Sequence, residues 1–203
     1  MSRPAKQKRS KQTRRELLEA ARSLFAQNGF AEVSMDQIAA HVGVSRGPLY
    51  HYFTDKRDLF RAVYEETEAD LARNVISSVR AHSVAAGPDA WQEVRAGCQA
   101  FLDASLDPGV QRILLLEAPS VLGWDAGRDI ARRGLGMIRE GLQRAIDQRL
   151  IDAQPVEPLA HLLRAVLTEG AILIARAGDH ASARAEVGAA VDRLIDGLRR
   201  TDG

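Results

Sequence analysis

The segment from Ser34 to Phe53 carries the side chains best suited to recognising another molecule through hydrogen bonds. The guanidinium group of Arg46 can donate two hydrogen bonds to the edge of a guanine base. Gly47 and Pro48 follow it, and at these positions a protein backbone can approach bases closely. The pattern therefore predicts that base edges are read in a DNA groove.

Side chains that suit phosphate oxygens follow directly. Tyr50, His51 and Tyr52 offer hydroxyl and imidazole donors of a suitable length. Lys56 is predicted to begin a further helix, where its charge would add to the dipole of the helix N-terminus and bind one phosphate. Each residue also has a structural interpretation, because aromatic rings often pack in a core and exposed cations are usually solvated.

Two short helices joined by a tight turn would position these side chains. Ser34 and Gln37 have the spacing of a capping box, and Gly43 can adopt the left-handed conformation that the turn needs. Ser45 can cap the second helix, in which Leu49 would point inward. This arrangement is typical of a helix-turn-helix motif.

A longer amphipathic helix precedes the motif, since apolar residues recur at helical spacing between Leu17 and Phe25. Thr13 and Glu16 have capping-box spacing, so this helix is predicted to begin at Thr13. The residues before it would form a basic flexible arm. The predicted parts of the chain are the arm 1–12, the helix-turn-helix domain 13–56 with its motif at 34–53, a connecting fourth helix at 56–80, and a second domain at 82–203.

Beyond residue 82 the apolar residues keep a helical spacing, interrupted by glycine and proline. Further helices are expected around the apolar stripe from Trp91 to Leu102 and at about 110–117, 125–150, 159–177 and 181–200. We find no β-rich segment and no internal repeat. The chain is therefore predicted to be all-α, with about nine helices in a three-helix N-terminal domain and a larger helical domain.

The charges divide along the chain. Its 203 residues include 28 Lys and Arg against 27 Asp and Glu, a net charge of +1. Residues 1–57 carry a net charge of +6 and the remaining residues −5, and all four lysines lie in the first part. A near-neutral total excludes a polycationic coat for nucleic acid, but the gradient predicts two parts with different electrostatic roles.

Composition excludes several classes of protein. A chain with 45% hydrophobic and 27% charged residues can bury a core and is not wholly disordered. Its one cysteine, Cys98, excludes an internal disulfide framework and a multi-cysteine metal site. No apolar run reaches the roughly 20 residues that span a bilayer, and the N-terminus lacks the apolar core of a signal peptide. We expect a cytoplasmic protein with no membrane association, metal or cofactor.

From Thr13 to about Tyr64 the chain resembles the TetR family of one-component transcriptional regulators. The matching positions are Leu24 to Phe30, Ser34, Ile38, Ala39, Val42 to Ser45, Gly47, Leu49, Tyr50, Tyr52, Phe53, Lys56 and Leu59. The resemblance implies a homodimer whose N-terminal domains occupy successive major grooves of a palindromic double-stranded operator. It also implies a C-terminal helical domain that binds a small molecule and thereby changes the spacing of the two DNA-binding domains of the dimer.

Carried onto this sequence, the family pattern implies DNA contacts at eight positions: Ser34, Ser45, Arg46, Gly47, Pro48, Tyr50, His51 and Lys56. His51 and Tyr52 stand where many members have a bulky residue followed by histidine. The resemblance therefore does not decide which of the pair contacts phosphate. The basic run from Arg3 to Arg15 has two interpretations, a disordered tail and an arm that lies along phosphates or in the minor groove.

In the second domain the resemblance is limited to architecture. Helices four to seven of such folds enclose a ligand pocket, whose candidate residues here are Trp91, Phe101, Leu115, Glu117, Trp124 and Met137. Glu117 could orient a polar or cationic ligand, or end a helix in solvent. Trp124 could cap a pocket or fill the core. Cys98 lies on an apolar helix face and is predicted to be a buried, inert thiol.

The last two predicted helices carry apolar stripes interleaved with small residues. Across a two-fold axis they would form a four-helix bundle between two copies of the chain. The candidate interface residues are Val166, Gly170, Ile174, Val187, Val191, Leu194 and Leu198. The alternative is that these stripes only complete the core of one monomer.

The sequence thus predicts a repressor that binds a palindromic operator as a homodimer and is released by a small-molecule effector. A DNA-binding regulator without a small-molecule response is one rival hypothesis. A helical enzyme is the other, and it would need a nucleophile with a base or a metal cluster. The five histidines are scattered along the chain without such partners, which disfavours an enzyme.

Overall fold

The computed structural model describes residues 3–86, 89–123 and 132–199, with side chains throughout except at 3–9, 85–86 and 132–133. These ranges contain nine α-helices, one π-helix and no β-strand, so the all-α prediction is confirmed. The helices are α1 (Arg3–Asn28), α2 (Met35–Val42), α3 (Arg46–Tyr52), α4 (Lys56–Ala86), α5 (Ala90–Ala104), π1 (Val110–Glu117), α6 (Ala118–Leu122), α7 (Arg132–Asp147), α8 (Val156–Arg176) and α9 (His180–Asp196).

The described residues form two compact units. The first contains residues 3–67 and 108–123, and the second contains 68–86, 89–107 and 132–199. This division differs from the predicted boundary near residue 82, because π1 and α6 belong with the N-terminal helices. Apolar periodicity identifies a buried helix face but not the unit that buries it, so the sequence pattern could not assign this segment.

Helix α1 begins at Arg3, ten residues before the predicted start at Thr13. Residues 3–12 are therefore helical in this structure, which corrects the prediction of an irregular arm. The segment consists mostly of Lys, Arg, Gln and Ala, which favour helix, and Pro4 lies in the first turn, where its missing N–H costs no hydrogen bond. Helix α1 ends at Asn28, and Gly29 follows with φ of 87°.

Helices α2 and α3 form the predicted helix-turn-helix motif. The hydroxyl of Ser34 accepts from the backbone N–H of Gln37, and the Gln37 side chain accepts from the backbone N–H of Ser34. The capping box is therefore confirmed. Gly43 ends α2 in the left-handed conformation, with φ of 73°. Ser45 is the N-cap residue of α3, but its side chain makes no capping hydrogen bond.

The core of the first unit holds the motif in place. Phe25, Phe30 and Phe60 form an aromatic cluster with ring centroids 5.2 to 5.9 Å apart. Leu49 is buried, as predicted, and so is Phe53, so these two side chains anchor α3 and the residue after it. Since Leu49 is the one residue of α3 that is fully buried, most of this helix remains available on the outside.

The core of the second unit lies among α5, α7, α8 and α9, and includes Trp91, Cys98 and Leu102 of α5. Burial, assisted by the negative charge of Asp192, raises the pKa of the Cys98 thiol to about 12. The thiol therefore stays protonated at neutral pH, in agreement with the prediction that it is buried and inert.

A row of ion pairs and hydrogen bonds, called the polar ladder below, joins α5 to α9 within this unit. Arg95 forms an ion pair with Asp192 (3.1 Å), and the Gln99 side chain donates to the same carboxylate (2.9 Å). Asp103 pairs with Arg184 (2.7 Å) one turn further along. The partners run in opposite directions along the two helices, so the ladder fixes α5 and α9 as antiparallel neighbours.

Candidate nucleic-acid interface

Helix α3 presents a row of side chains to the outside. Arg46, Gly47, Tyr50 and His51 are exposed and share one helix face, with Pro48 half-buried beside them. Tyr50 is 52% exposed, so its ring is not part of the core. The structure therefore brings five of the eight predicted DNA-contacting residues together on a surface that a DNA groove can reach.

Gly47 has no packing role among the described residues. A methyl group built on its Cα would find no atom of another residue within 4 Å. Glycine inside a helix costs roughly 0.5–1 kcal/mol relative to alanine, so internal stability does not favour glycine here. The contacts described within the chain therefore give no reason for glycine at this position.

The guanidinium of Arg46 has an intramolecular partner. Its Nη2 donates to Oδ2 of Asp36, in the first turn of α2. Both side chains are largely exposed, and an exposed ion pair typically contributes about 0–1 kcal/mol. Arg46 can therefore exchange or share this partner at little cost. Spacing alone gave no sign of Asp36, because the two residues lie ten positions apart on different helices.

Lys56, also predicted to contact DNA, has a different environment, in which other groups of the chain surround its ammonium group. Its Nζ donates to the carbonyl oxygens of Phe30 (2.7 Å), Val33 (2.8 Å) and Ala31 (3.3 Å). An ammonium group has three protons, so these carbonyls account for all of them. Nζ also lies 4.4 Å from the centroid of the Phe30 ring. Lys56 therefore holds the loop between α1 and α2 against the start of α4.

The N-terminus of α4 is likewise occupied by the chain itself. Oδ1 of Asp55 accepts from the backbone N–H of Asp58 (2.8 Å), and Oδ2 of Asp58 accepts from the backbone N–H of Thr54 (2.9 Å). Two carboxylates thus lie where an anion would have to bind. A phosphate at this position would meet like charges, so the helix dipole does not create a phosphate site here.

Tyr52 and His51 differ in their surroundings. The Tyr52 hydroxyl lies 2.7 Å from the Ser10 hydroxyl and donates to the Ser10 carbonyl oxygen at 3.0 Å. This half-buried ring therefore connects α3 to the early turns of α1. His51 is exposed beside it. Of this pair, His51 is the residue with access to a phosphate.

The two predicted serine contacts are also unequal. Ser34 is exposed, but its hydroxyl accepts from the backbone of Gln37 and donates to the Gln37 side chain at 2.9 Å. Ser45 is exposed and makes no capping bond. A DNA contact by Ser34 would compete with its capping role, whereas a contact by Ser45 would not.

Two family models match the chain and together cover both units. A model described as "Bacterial regulatory proteins, tetR family" matches residues 17–63, and one described as "Tetracyclin repressor-like, C-terminal domain" matches residues 91–198. The second match alone covers more than half of the chain. The protein belongs to the TetR family. It is a transcriptional regulator with a DNA-binding helix-turn-helix, and not an enzyme.

Individual relatives agree with this assignment. The regulator AcrR of Shigella flexneri is 39% identical over 71 residues, which are 35% of this chain and 33% of AcrR, so the match spans about a third of that relative. A TetR-family regulator from Pectobacterium atrosepticum has a crystal structure with a TM-score of 0.83 and 32% identity over 99% of both chains. FadR of Bacillus subtilis, solved with stearoyl-CoA, has a TM-score of 0.70 at 15% identity, with 91% of this chain and 96% of FadR covered, and shares the fold.

The predicted pocket residues of this TetR-family chain fall into both units. Leu115 and Glu117 belong to the first unit, whereas Trp91, Phe101 and Met137 belong to the second. Trp124 lies outside the described residues. Trp91 is fully buried, and Leu115, Phe101 and Met137 are half-buried.

Glu117 is engaged by the end of α1, which corrects its predicted role in orienting a ligand. Its Oε2 accepts from the backbone N–H of Phe30 at 2.8 Å. A methyl group on Gly29 would lie 2.6 Å from its Oε1, so the Glu117 carboxylate would have to shift if this residue had a side chain. Nearby, Arg112 donates to the carbonyl oxygen of Gln27 at 2.6 Å. π1 therefore holds the C-terminal end of α1 by one donor and one acceptor.

The predicted dimer residues separate into buried and exposed sets. Gly170, Ile174 and Val191 are buried inside the second unit and cannot form an interface, which corrects their assignment. Val187 and Leu198 are half-buried. Only Val166 and Leu194 are exposed.

The exposed apolar stripe of α8 also contains two residues that the apolar periodicity did not identify. Leu162 is 65% exposed and Leu173 is 55% exposed, and with Val166 they follow one side of the helix. Helix α8 has apolar residues on both sides, so periodicity did not distinguish the outward stripe from the core stripe. For the same reason α8 is the one helix of the described ranges that is long and apolar enough to cross a membrane by length and composition.

No cluster of three or more potential metal ligands occurs among the described residues. His161, the one histidine of α8, lies 3.4 Å from Glu157 on the same helix and is exposed. The described part of the chain therefore offers a surface for nucleic acid and no arrangement for metal chemistry.

Proposed function

We propose that this protein is a cytoplasmic repressor that binds a palindromic operator as a homodimer and releases it when a small molecule binds. The observation that carries the proposal is the exposed face of α3, where Arg46, Tyr50 and His51 lie beside a glycine with open space. Arg46 would read a base edge, while Tyr50, His51 and Ser45 would contact phosphates. Ser34, Gly47 and Pro48 would line the approach.

The outward apolar stripe supports the homodimer. Leu162, Val166 and Leu173 of α8 and Leu194 of α9 are exposed in the single chain. Removing apolar surface from water is favourable by about 25 cal/mol per Å². A second copy can cover this surface with the same surface of its own, which is the contact that a two-fold symmetric dimer uses. Such a dimer would match two halves of a palindrome.

The dimer is tested by replacing both Leu162 and Leu173 with glutamate. We expect a folded monomer in sedimentation velocity that no longer binds operator DNA, because four charges would meet in the paired surface. Val84→Glu is the matched control, since Val84 is 89% exposed on α4. This control should remain dimeric. A folded L162E/L173E protein that still sediments as a dimer would show that another surface pairs.

The site for an effector is proposed in the second unit. Trp91 is fully buried, and its indole N–H has no hydrogen-bond partner among the described residues. Buried donors without partners are rare and costly, so a ligand acceptor near this N–H would be stabilised. Phe101 and Met137 would supply apolar contacts.

The effector response is tested by heating the protein with a library of small apolar and amphipathic compounds. A ligand that binds the folded state raises the melting temperature, and it should also lower operator affinity. Trp91→Phe should reduce the shift, since it removes the indole donor and the part of the ring that carries it. If no compound raises the melting temperature while operator binding persists, the protein is a DNA-binding regulator without a small-molecule response.

Repression is tested by in vitro transcription from a promoter that contains the operator. We expect the added protein to reduce transcript yield and the effector to restore it. An increase in transcript on adding the protein would identify an activator instead.

A further inference from the structure

We propose that Asp36 positions Arg46 for base reading and increases the preference of the protein for its operator over other DNA. This inference rests on the proposed reading of DNA by α3. Neither the motif nor the family resemblance pointed to Asp36. The ion pair between the Asp36 carboxylate and the Arg46 guanidinium indicates the role of Asp36.

The ion pair restricts the orientation of the Arg46 side chain. Asp36 lies in the first turn of α2, and Arg46 is the first residue of α3, so the pair bridges the two helices of the motif. Nη2 of Arg46 donates to Oδ2 of Asp36. A guanidinium is planar and has five N–H donors in a fixed fork, so a bond at one nitrogen restricts the direction of the others. The carboxylate therefore limits the orientations available to an otherwise exposed side chain.

A restricted Arg46 side chain can recognise fewer partners than a freely rotating one. A freely rotating arginine can contact any phosphate oxygen, and phosphate contacts carry no sequence information. A guanine edge requires two parallel hydrogen bonds from one guanidinium, and this geometry depends on the plane of the group. Restricting Arg46 should therefore favour the base contact relative to phosphate contacts.

The negative charge of Asp36 also affects binding to phosphates. Binding to random DNA depends almost entirely on phosphate charge. The Asp36 side chain is half exposed on the same motif, where it forms an ion pair with Arg46. Its negative charge opposes phosphates and partly cancels the charge of Arg46, which weakens phosphate contacts most. A guanine edge is neutral and is bound through directed hydrogen bonds, so it depends less on this charge. Asp36 thus weakens binding to random DNA more than binding to the operator.

The test is Asp36→Asn in the full-length protein. This substitution keeps the size of the side chain and does not touch the capping box, which uses Ser34 and Gln37. Affinities are measured by fluorescence anisotropy for an operator selected from random DNA and for a random duplex of equal length, at several salt concentrations. We expect random-DNA affinity to rise about three- to tenfold, and operator affinity to rise less or to fall, so the ratio of the two declines.

Two further variants separate positioning from charge. Glu32→Gln removes an exposed acid from the loop before α2, and it should raise both affinities by one common factor. In an Arg46→Ala background, Asp36→Asn should also leave the affinity ratio unchanged, because no guanidinium remains to be positioned. Thermal unfolding should show that all variants are as stable as the parent, since the ion pair is exposed.

The outcomes distinguish this inference from the proposed function. If the parent protein binds no DNA sequence preferentially, the proposed function fails. If the parent discriminates but Asp36→Asn leaves its affinity ratio unchanged, the role of Asp36 is wrong while α3 can still read DNA. An equal change of the ratio with and without Arg46 would also overturn the proposal, because it would show that Asp36 acts without Arg46.

Discussion

The first turns of α3 and α4 resemble each other in the sequence and differ in the structure. Each begins with a cation, Arg46 or Lys56, and both were predicted to contact DNA. Arg46 is largely exposed and pairs with one exposed carboxylate, whereas Lys56 is half-buried and donates to three carbonyl oxygens. A cation at the start of a helix is thus available to a phosphate or a base only where the surrounding backbone does not already supply its acceptors.

The largest effect expected from this comparison is a loss of stability on replacing Lys56. Lys56→Met removes the charged donor from the carbonyls of the α1–α2 loop, and we expect the free energy of unfolding to fall by about 2–4 kcal/mol. The measurement is urea unfolding followed by circular dichroism. Lys11→Met is the control, because Lys11 is exposed on α1, and it should change the free energy by less than about 0.5 kcal/mol. A Lys56→Met protein as stable as this control would refute the structural role.

Replacing Arg46 should have the opposite profile. Arg46→Ala should reduce operator affinity by about 1–3 kcal/mol through loss of a base contact. Its free energy of unfolding should stay within about 0.5 kcal/mol of the parent, since the Asp36 pair is exposed. Anisotropy titrations and urea unfolding of the same preparation measure both quantities. A large loss of stability with unchanged operator affinity would reverse the assignments of the two cations.

The two tyrosines of α3 also differ in whether the chain already engages them. The Tyr52 hydroxyl is bonded to Ser10, whereas Tyr50 is exposed. Tyr52→Phe removes the hydroxyl bonded to Ser10 and should cost about 1 kcal/mol of stability with little change in DNA affinity. Tyr50→Phe should leave stability unchanged and weaken binding to all sequences alike, as expected for a phosphate contact. Reduced DNA affinity in the Tyr52 variant alone would show that Tyr52 leaves Ser10 to bind phosphate.

The smallest effect is expected for a substitution at Gly47, which should change the free energy of unfolding and the operator affinity in opposite directions. Gly47→Ala should raise the free energy of unfolding by about 0.5–1 kcal/mol, because the added methyl group meets open space. It should nevertheless weaken operator binding, because the methyl group would lie where bases approach. Gly136→Ala on α7 is matched to it, since its added methyl group also meets no atom within 4 Å. That variant should gain similar stability and bind operator normally.

The helix-turn-helix could be predicted almost completely, because its signals are local. The cap at Ser34 uses Gln37, three residues away, and the turn needs a single left-handed residue, Gly43. The burial of Leu49 and Phe53 could be predicted from their apolar character, since one lies in α3 and the other directly after it. Each of these features depends on fewer than ten neighbouring residues, so the linear sequence contains them.

Other features depend on partners that are distant in the chain. The Lys56 ammonium is bound by carbonyls more than twenty residues earlier, and Glu117 accepts from Phe30 across 87 positions. Backbone acceptors leave no mark in residue types, so a sequence pattern cannot show that these charges already have partners. Helix α8 poses a similar problem, because Ile174 and Leu173 are equally apolar while only the first is buried.

The central claim is that α3 reads DNA while the start of α4 supports the fold. The most direct test is the ratio of operator affinity to random-DNA affinity for Arg46→Ala and Lys56→Met, at a temperature where unfolding curves show both proteins to be folded. We predict that Arg46→Ala lowers this ratio by about 5- to 100-fold, and that folded Lys56→Met preserves both the ratio and the random-DNA affinity of the parent. A preserved ratio in Arg46→Ala, or a loss of random-DNA affinity in folded Lys56→Met, would contradict the claim.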